Sequence, residues 1–133
     1  MARYFTIEEA TTMLPRVRVL VTDIQRLRMH LAEAETQLVA WRIKLRSNGH
    51  TMHSELSDLQ VDISRTTAEI TELLAEAEAM GVIVRDPDVG LVDFPALRSG
   101  QEVYLCWRVD EDTLAWWHEI DDGFAGRRPI TDF

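Results

Sequence analysis

The sequence predicts an α+β fold dominated by helix: a long antiparallel, coiled-coil-like helical hairpin followed by a small antiparallel β module. Three observations carry that reading. Apolar residues recur in alternating steps of three and four through two long segments before Gly81. The run Ser47-Asn48-Gly49-His50 separates those segments. After Gly81 the pattern changes to short β-branched and aromatic runs punctuated by glycine and proline. The division falls at 1–81 for the hairpin and 82–133 for the β-rich module with its tail.

Each element has a local cause. Thr6-Ile7-Glu8-Glu9 fits a capping box, in which the Thr6 hydroxyl and the Glu9 carboxylate each take the other's backbone N–H. A short helix is expected from there to about Leu14, with a kink or break at Pro15. The first seam then runs Val17, Leu20, Ile24, Leu27, Leu31, Ala34, Leu38, Trp41 and Leu45. The second runs Leu56, Leu59, Ile63, Thr66, Ile70, Leu73, Ala77 and Met80, and Gly81 is placed to end it in a left-handed cap. Arg16, Arg18, Arg26 and Arg28 open the first long helix, and Glu69, Glu72, Glu76 and Glu78 close the second. Arg42, Lys44 and Arg46 likewise face Glu55, Asp58 and Asp62 if the helices run antiparallel. Such exposed pairs add only about 0–1 kcal/mol each, so they select orientation more than they stabilise. Two helices with narrow seams do not close a core. A second chain is therefore expected to complete a four-helix arrangement about a two-fold axis.

Beyond Gly81, Val82-Ile83-Val84 reads as a strand, Asp86-Pro87-Asp88-Val89-Gly90 as a turn, and Leu91-Val92-Asp93-Phe94 as a returning strand that ends at Pro95. Ser99-Gly100 is the next turn. Glu102 to Val109 reads as a strand, with Val103, Leu105, Trp107 and Val109 on one face and Tyr104, Cys106 and Arg108 on the other. Thr113 to Ile120 returns antiparallel, with a short helix over 112–119 as the competing reading. In the strand pairing, Cys106 falls opposite Trp116 to His118. The last residues form a tail anchored by Phe124 and Ile130.

Composition narrows the partners. The chain has 133 residues and a formal net charge of −9. That balance argues against nucleic acid, whose binding rests on phosphate neutralisation, and against an anionic membrane surface. The single Cys106 forms no internal disulfide, which points to the cytoplasm. No signal-like apolar run precedes the capping box, and no stretch approaches the roughly 20 apolar residues that span a bilayer.

The segments Gly90-Leu91-Val92-Asp93-Phe94-Pro95-Ala96, Tyr104-Leu105-Cys106-Trp107-Arg108 and Trp117-His118-Glu119-Ile120-Asp121-Asp122-Gly123-Phe124-Ala125-Gly126-Arg127 resemble a prokaryotic family catalogued as domain of unknown function 2203. Phe5-Thr6-Ile7-Glu8-Glu9-Ala10, with Leu14-Pro15, resembles that family's opening. The resemblance implies a helical hairpin with a compact tail and brings no activity with it.

The candidate chemistry lies in that tail. Cys106 and His118, with a carboxylate from Asp93, Glu119 or Asp121, make a mixed S/N/O set suited to Zn²⁺ or iron. The alternative is a buried thiol and a hydrogen-bonded imidazole in an aromatic core. A ligand cleft is a second reading. Trp107, Trp116, Trp117, Tyr104 and Phe124 would line it, with His118, Arg108 and Arg127 as polar anchors. The alternative there is a plain aromatic core. Gly123-Phe124-Ala125-Gly126-Arg127-Arg128 reads either as an anion nest or as a glycine turn with Arg127 on Asp121 or Asp122, and the turn is preferred. Asp86 to Gly90 lacks the later ligands of a calcium loop. His50 and His53 belong to a solvated connection. His118 and Cys106 could also act as base and nucleophile, but no oxyanion hole or third member accompanies them. Together these observations describe a cytoplasmic, homodimeric binding or assembly module whose tail holds a ligand, a metal or a partner. The alternative is a Zn- or Fe-dependent enzyme centred on Cys106 and His118.

Overall fold

The structure, a computed structural model, describes residues 3–48 and 53–133. Two long helices pack against each other as a hairpin, and a five-stranded antiparallel sheet follows. The first helix, α1, spans Ile7–Asn48 and the second, α2, spans His53–Met80. No helix among the described residues is long and apolar enough to cross a membrane. His50 lies outside the described residues, and His53 is the exposed first residue of α2.

The capping box forms as expected. Thr6 N–H donates to Glu9 Oε1 at 3.0 Å, and Glu9 N–H to Thr6 Oγ1 at 3.0 Å. The Thr6 N–H, and after it the Thr6 hydroxyl, hold the Glu9 carboxyl below its ordinary range. The expected break at Pro15 is corrected: α1 runs through it without interruption. Pro15 and Thr11 are both exposed, so water can serve the Thr11 carbonyl that the proline ring leaves without a donor. At the far end of α2, Gly81 adopts φ +85°. Gly81 N–H bonds the Glu78 carbonyl at 2.9 Å and Val82 N–H the Ala77 carbonyl at 3.2 Å, a Schellman cap.

The residues form two compact units. One is Arg26–Leu73, the stretch of hairpin on either side of the connection. Its seam residues Leu31, Leu38, Trp41, Leu45, Leu56, Leu59 and Ile63 are half-buried, and His30 Nε2 meets Asp62 Oδ2 at 2.7 Å across the helices. The other unit joins the chain up to Gln25 with Leu74–Phe133. There Val17, Leu20, Val21 and Ile24 are buried with Ala77 and Met80, and Arg16 reaches Glu76 at 3.7 Å. Arg18 does not join the acidic end of α2. Its guanidinium donates to the carbonyls of Val109 and Glu111 and lies 4.9 Å from the Trp107 ring centre.

The sheet is a meander in the order β1-β2-β3-β4-β5: Ile83–Asp86, Leu91–Arg98, Gln101–Arg108, Trp116–Glu119 and Arg128–Pro129. The turn after β1 is set by Asp88 N–H on Asp86 Oδ1 at 3.0 Å and by Gly90 at φ +74°. Ser99 at φ 52° and Gly100 at φ 81° make the tight turn between β2 and β3. β2 passes through Pro95 instead of ending there. The Pro95 carbonyl accepts Phe5 N–H at 2.7 Å, so its ring nitrogen also points away from β3, past the end of the β1 pairing, and no ladder bond is lost. The returning segment is strand, not helix, and a fifth strand follows it. That last strand, two residues ending in proline, is too short to carry a periodic signal.

Candidate metal centre

Three central strands build one cluster. Asp93 of β2 pairs directly with Cys106 of β3, and His118 of β4 pairs with Tyr104, two residues from Cys106. Alternation puts Val92, Phe94, Leu105, Trp107 and Trp117 on one face and Asp93, Cys106 and His118 on the other. The donor atoms Asp93 Oδ, Cys106 Sγ and His118 N all lie within 4.8 Å of one another. The residues are sealed, at 2%, 0% and 4% exposure respectively.

A carboxylate buried this deeply needs donors. Arg85 Nε reaches Asp93 Oδ2 at 2.8 Å, and His118 Nε2 reaches Oδ1 at 3.1 Å. The Cys106 sulfur lies within 4.8 Å of the same carboxylate. Burial first, and the Asp93 charge second, push that thiol up to about 12. His118 Nδ1 lies 2.8 Å from the Glu119 carbonyl oxygen. A carbonyl only accepts, so Nδ1 carries a proton, and Nε2 is the nitrogen turned to the cluster. The Tyr104 ring stands 5.5 Å from the imidazole, and the Arg85 guanidinium lies 4.8 Å from the Tyr104 ring centre. Arg85 itself gains a higher pKa from Asp93.

This order of groups bears on chemistry. His118 Nε2 is engaged by the Asp93 carboxylate at 3.1 Å, which occupies the nitrogen that a base for the Cys106 thiol would use. A thiol with its pKa raised this far is a poor nucleophile near neutrality. As a donor set, the cluster offers one sulfur, one nitrogen and one oxygen, a combination that suits Zn²⁺. Ligand atoms around Zn²⁺, at bond lengths of about 2.0–2.3 Å, stand about 3.3–3.7 Å apart. The Asp93–His118 separation of 3.1 Å is near that spacing, and the remaining ones lie within 4.8 Å.

Of the metal ligands expected from the sequence, Asp93, Cys106 and His118 come together. Asp121 does not: it lies exposed in the turn after β4. Glu119 is also exposed and faces Arg128 at 3.8 Å. The residues expected to line a ligand cleft divide into groups: Arg127 lies 5.2 Å from the Trp116 ring centre and 4.5 Å from that of Phe124, Tyr104 stands beside His118, and the other two tryptophans are core. Trp107 and Trp117 sit at 0% and 1% exposure on the core face, and Trp107 Nε1 donates to the Glu111 carbonyl at 3.1 Å. Arg108 pairs with Asp110 at 2.5 Å and stacks on Phe124. Arg127 pairs with Glu111 at 2.6 Å, not with Asp121 or Asp122, and also donates to the Cys106 carbonyl at 3.3 Å.

Two residues of this neighbourhood escape a reading of the sequence. Arg85 looks like a polar strand residue, yet the tight turn at Asp86–Gly90 folds it onto Asp93. The register of that hairpin was the available signal. Glu111, in a polar turn, accepts from both Arg108 N–H and Arg127, and nothing local marks it.

Fold and site define a helical-hairpin protein whose β-meander carries a buried carboxylate–thiol–imidazole cluster. The family model described as an uncharacterised conserved protein, DUF2203, matches residues 3–130, and the chain belongs to that family. No curated protein and no solved structure matches it.

Proposed function

We propose that this chain is a metal-binding module in which Asp93, Cys106 and His118 hold one Zn²⁺ or Fe²⁺ ion. The observation that carries the reading is the orientation of His118. Its Nδ1 is tied to a backbone carbonyl, and its Nε2 is aimed at a buried carboxylate oxygen beside a buried sulfur. A hydrogen bond from the far ring nitrogen to a carbonyl is what orients metal-ligating imidazoles. In the metal-free protein a proton bridges Nε2 and Oδ1. A cation takes that place when the bridging proton and the thiol proton both leave to solvent. Carboxylate and thiolate then balance a divalent charge, while Arg85 keeps Asp93 Oδ2 occupied and leaves Oδ1 to the metal.

Elemental analysis of protein purified without chelator, followed by Zn²⁺ and Co²⁺ titration, tests this. One equivalent of metal is expected, with a thiolate charge-transfer band in the Co²⁺ form. Cys106→Ser and His118→Ala should lose it, and Asp121→Asn should keep it. Protein that carries no metal and takes none up on titration refutes the reading, and the cluster is then a hydrogen-bonded core.

A further inference from the structure

Helix α1 carries a second apolar stripe that the hairpin does not use. Met29, Ala32, Thr36, Val39 and Ile43 follow steps of three, four, three and four, the same spacing as the seam toward α2. At 100° per residue they fall on the side of α1 opposite Leu31, Leu38 and Leu45. Met29, Val39 and Ile43 are 68%, 56% and 55% exposed. A low-moment helix with apolar residues on two opposite sides has two surfaces to cover. The stripe is also shaped. Its small members, Ala32 and Thr36, form with Glu33 and Gln37 a shallow groove of about 380 Å³, and its large members follow at Val39 and Ile43.

We infer that this stripe is the contact between two copies of the chain, with the α1 helices antiparallel about a two-fold axis midway between Thr36 and Val39. In that register Ile43 of each copy seats over Ala32 of the other, and Val39 over Thr36, so large side chains meet the groove from both sides. The flanks fit as well. Antiparallel helices bring like flanking positions together, and here that sets Glu35 against Arg42 twice. Moving the axis one layer toward Ala32 sets Glu35 against Glu35 instead. Charge and size thus select one occupant, a second copy, and one register. The seam is short, so the dimer is of the weak, concentration-dependent kind.

Sedimentation equilibrium on the full chain tests the inference. At high-micromolar protein the mass should approach twice the 15.3 kDa of the monomer. Thr36→Glu and Val39→Glu, both at exposed helical positions, should return it to monomer with circular dichroism unchanged. Glu35→Arg and Arg42→Glu should each raise the dissociation constant several-fold, and the double exchange should restore it. A wild-type monomer under these conditions overturns the inference and leaves the stripe to another protein. A dimer indifferent to Val39→Glu, or a double exchange no better than the single changes, overturns it equally.

Discussion

Asp93→Asn should cost the metal-free protein about 3–4 kcal/mol of folding stability, and the figure follows from what the carboxylate holds. Asparagine keeps the shape but offers one acceptor oxygen to three neighbours: Arg85 Nε at 2.8 Å, His118 Nε2 at 3.1 Å and the Cys106 sulfur within 4.8 Å. Hydrogen bonds to a charged group contribute about 1.5–3 kcal/mol each. The three are not equal here. The Arg85 side chain is 42% exposed and regains water when released, so its loss is discounted. The His118 side chain, at 5% exposure, cannot do so, and its Nε2 would face an amide in place of a carboxylate. Most of the cost therefore sits on the histidine. Urea denaturation in the presence of chelator measures it directly, and thermal unfolding should show a midpoint lower by about 10 °C. Arg85→Met is the comparison: it leaves Asp93 Oδ2 buried without its donor, and about 1–3 kcal/mol is expected from it. A loss under about 1 kcal/mol for Asp93→Asn would mean that the buried carboxylate is not what organises this face.

Other consequences are equally open to measurement. In folded, metal-free protein the Cys106 thiol, pushed from 9.0 up to about 12, should resist alkylation at pH 8 until denaturant is added; rapid native labelling contradicts the assignment. The fold favours the protonated thiol, so the stability this supplies is complete below pH 9 and is lost as pH rises toward 12. The loss amounts to about 4 kcal/mol at most, seen as a steeper alkaline decline in wild type than in Cys106→Ser. Gly90→Ala should destabilise by about 2 kcal/mol or more, because φ is +74° and an added Cβ would stand 2.4 Å from Val109 Cγ1; an unchanged urea midpoint refutes this. Glu111→Gln should cost about 1–3 kcal/mol and speed hydrogen exchange over 124–133, since the 2.6 Å contact with Arg127 loses its negative charge. Unchanged exchange there would show that the tail is held by other contacts.

The helices were legible because their signals are periodic and local. The Thr6–Glu9 box, both seams and the Gly81 cap each declare themselves within a few residues. Pro15 misled because a proline's cost depends on what its freed carbonyl meets, and exposure is not written in the local sequence. Pro95 misled for a related reason. A strand tolerates proline where the nitrogen points away from its partner, and that depends on Phe5, which lies far from it in the chain. The cluster itself was half legible. Alternation and a short return strand were enough to bring His118 toward Cys106, but choosing Asp93 over Glu119 or Asp121 required knowing which strands flank β3.

That last point explains why the donors converge at all. In an antiparallel meander with tight turns, residues separated by about one hairpin return to neighbouring strands. Only those an even number of steps from the paired position share a face. Asp93 meets Cys106 head-on, and His118 stands two positions along β4 from Trp116, the partner of Cys106. Shifting either return by one residue would turn His118 or Asp93 into the aromatic core and place Trp117 or Val92 against the thiol instead. The Ser99–Gly100 turn is therefore as much a part of the site as the donors themselves. Its two positive φ angles fix the register between Arg98 and Gln101, and through it the pairing of Asp93 with Cys106. A cluster assembled by register needs no contiguous signature in the sequence, which is why the spacing of its members matches no standard metal-binding motif while their geometry in the fold approaches one.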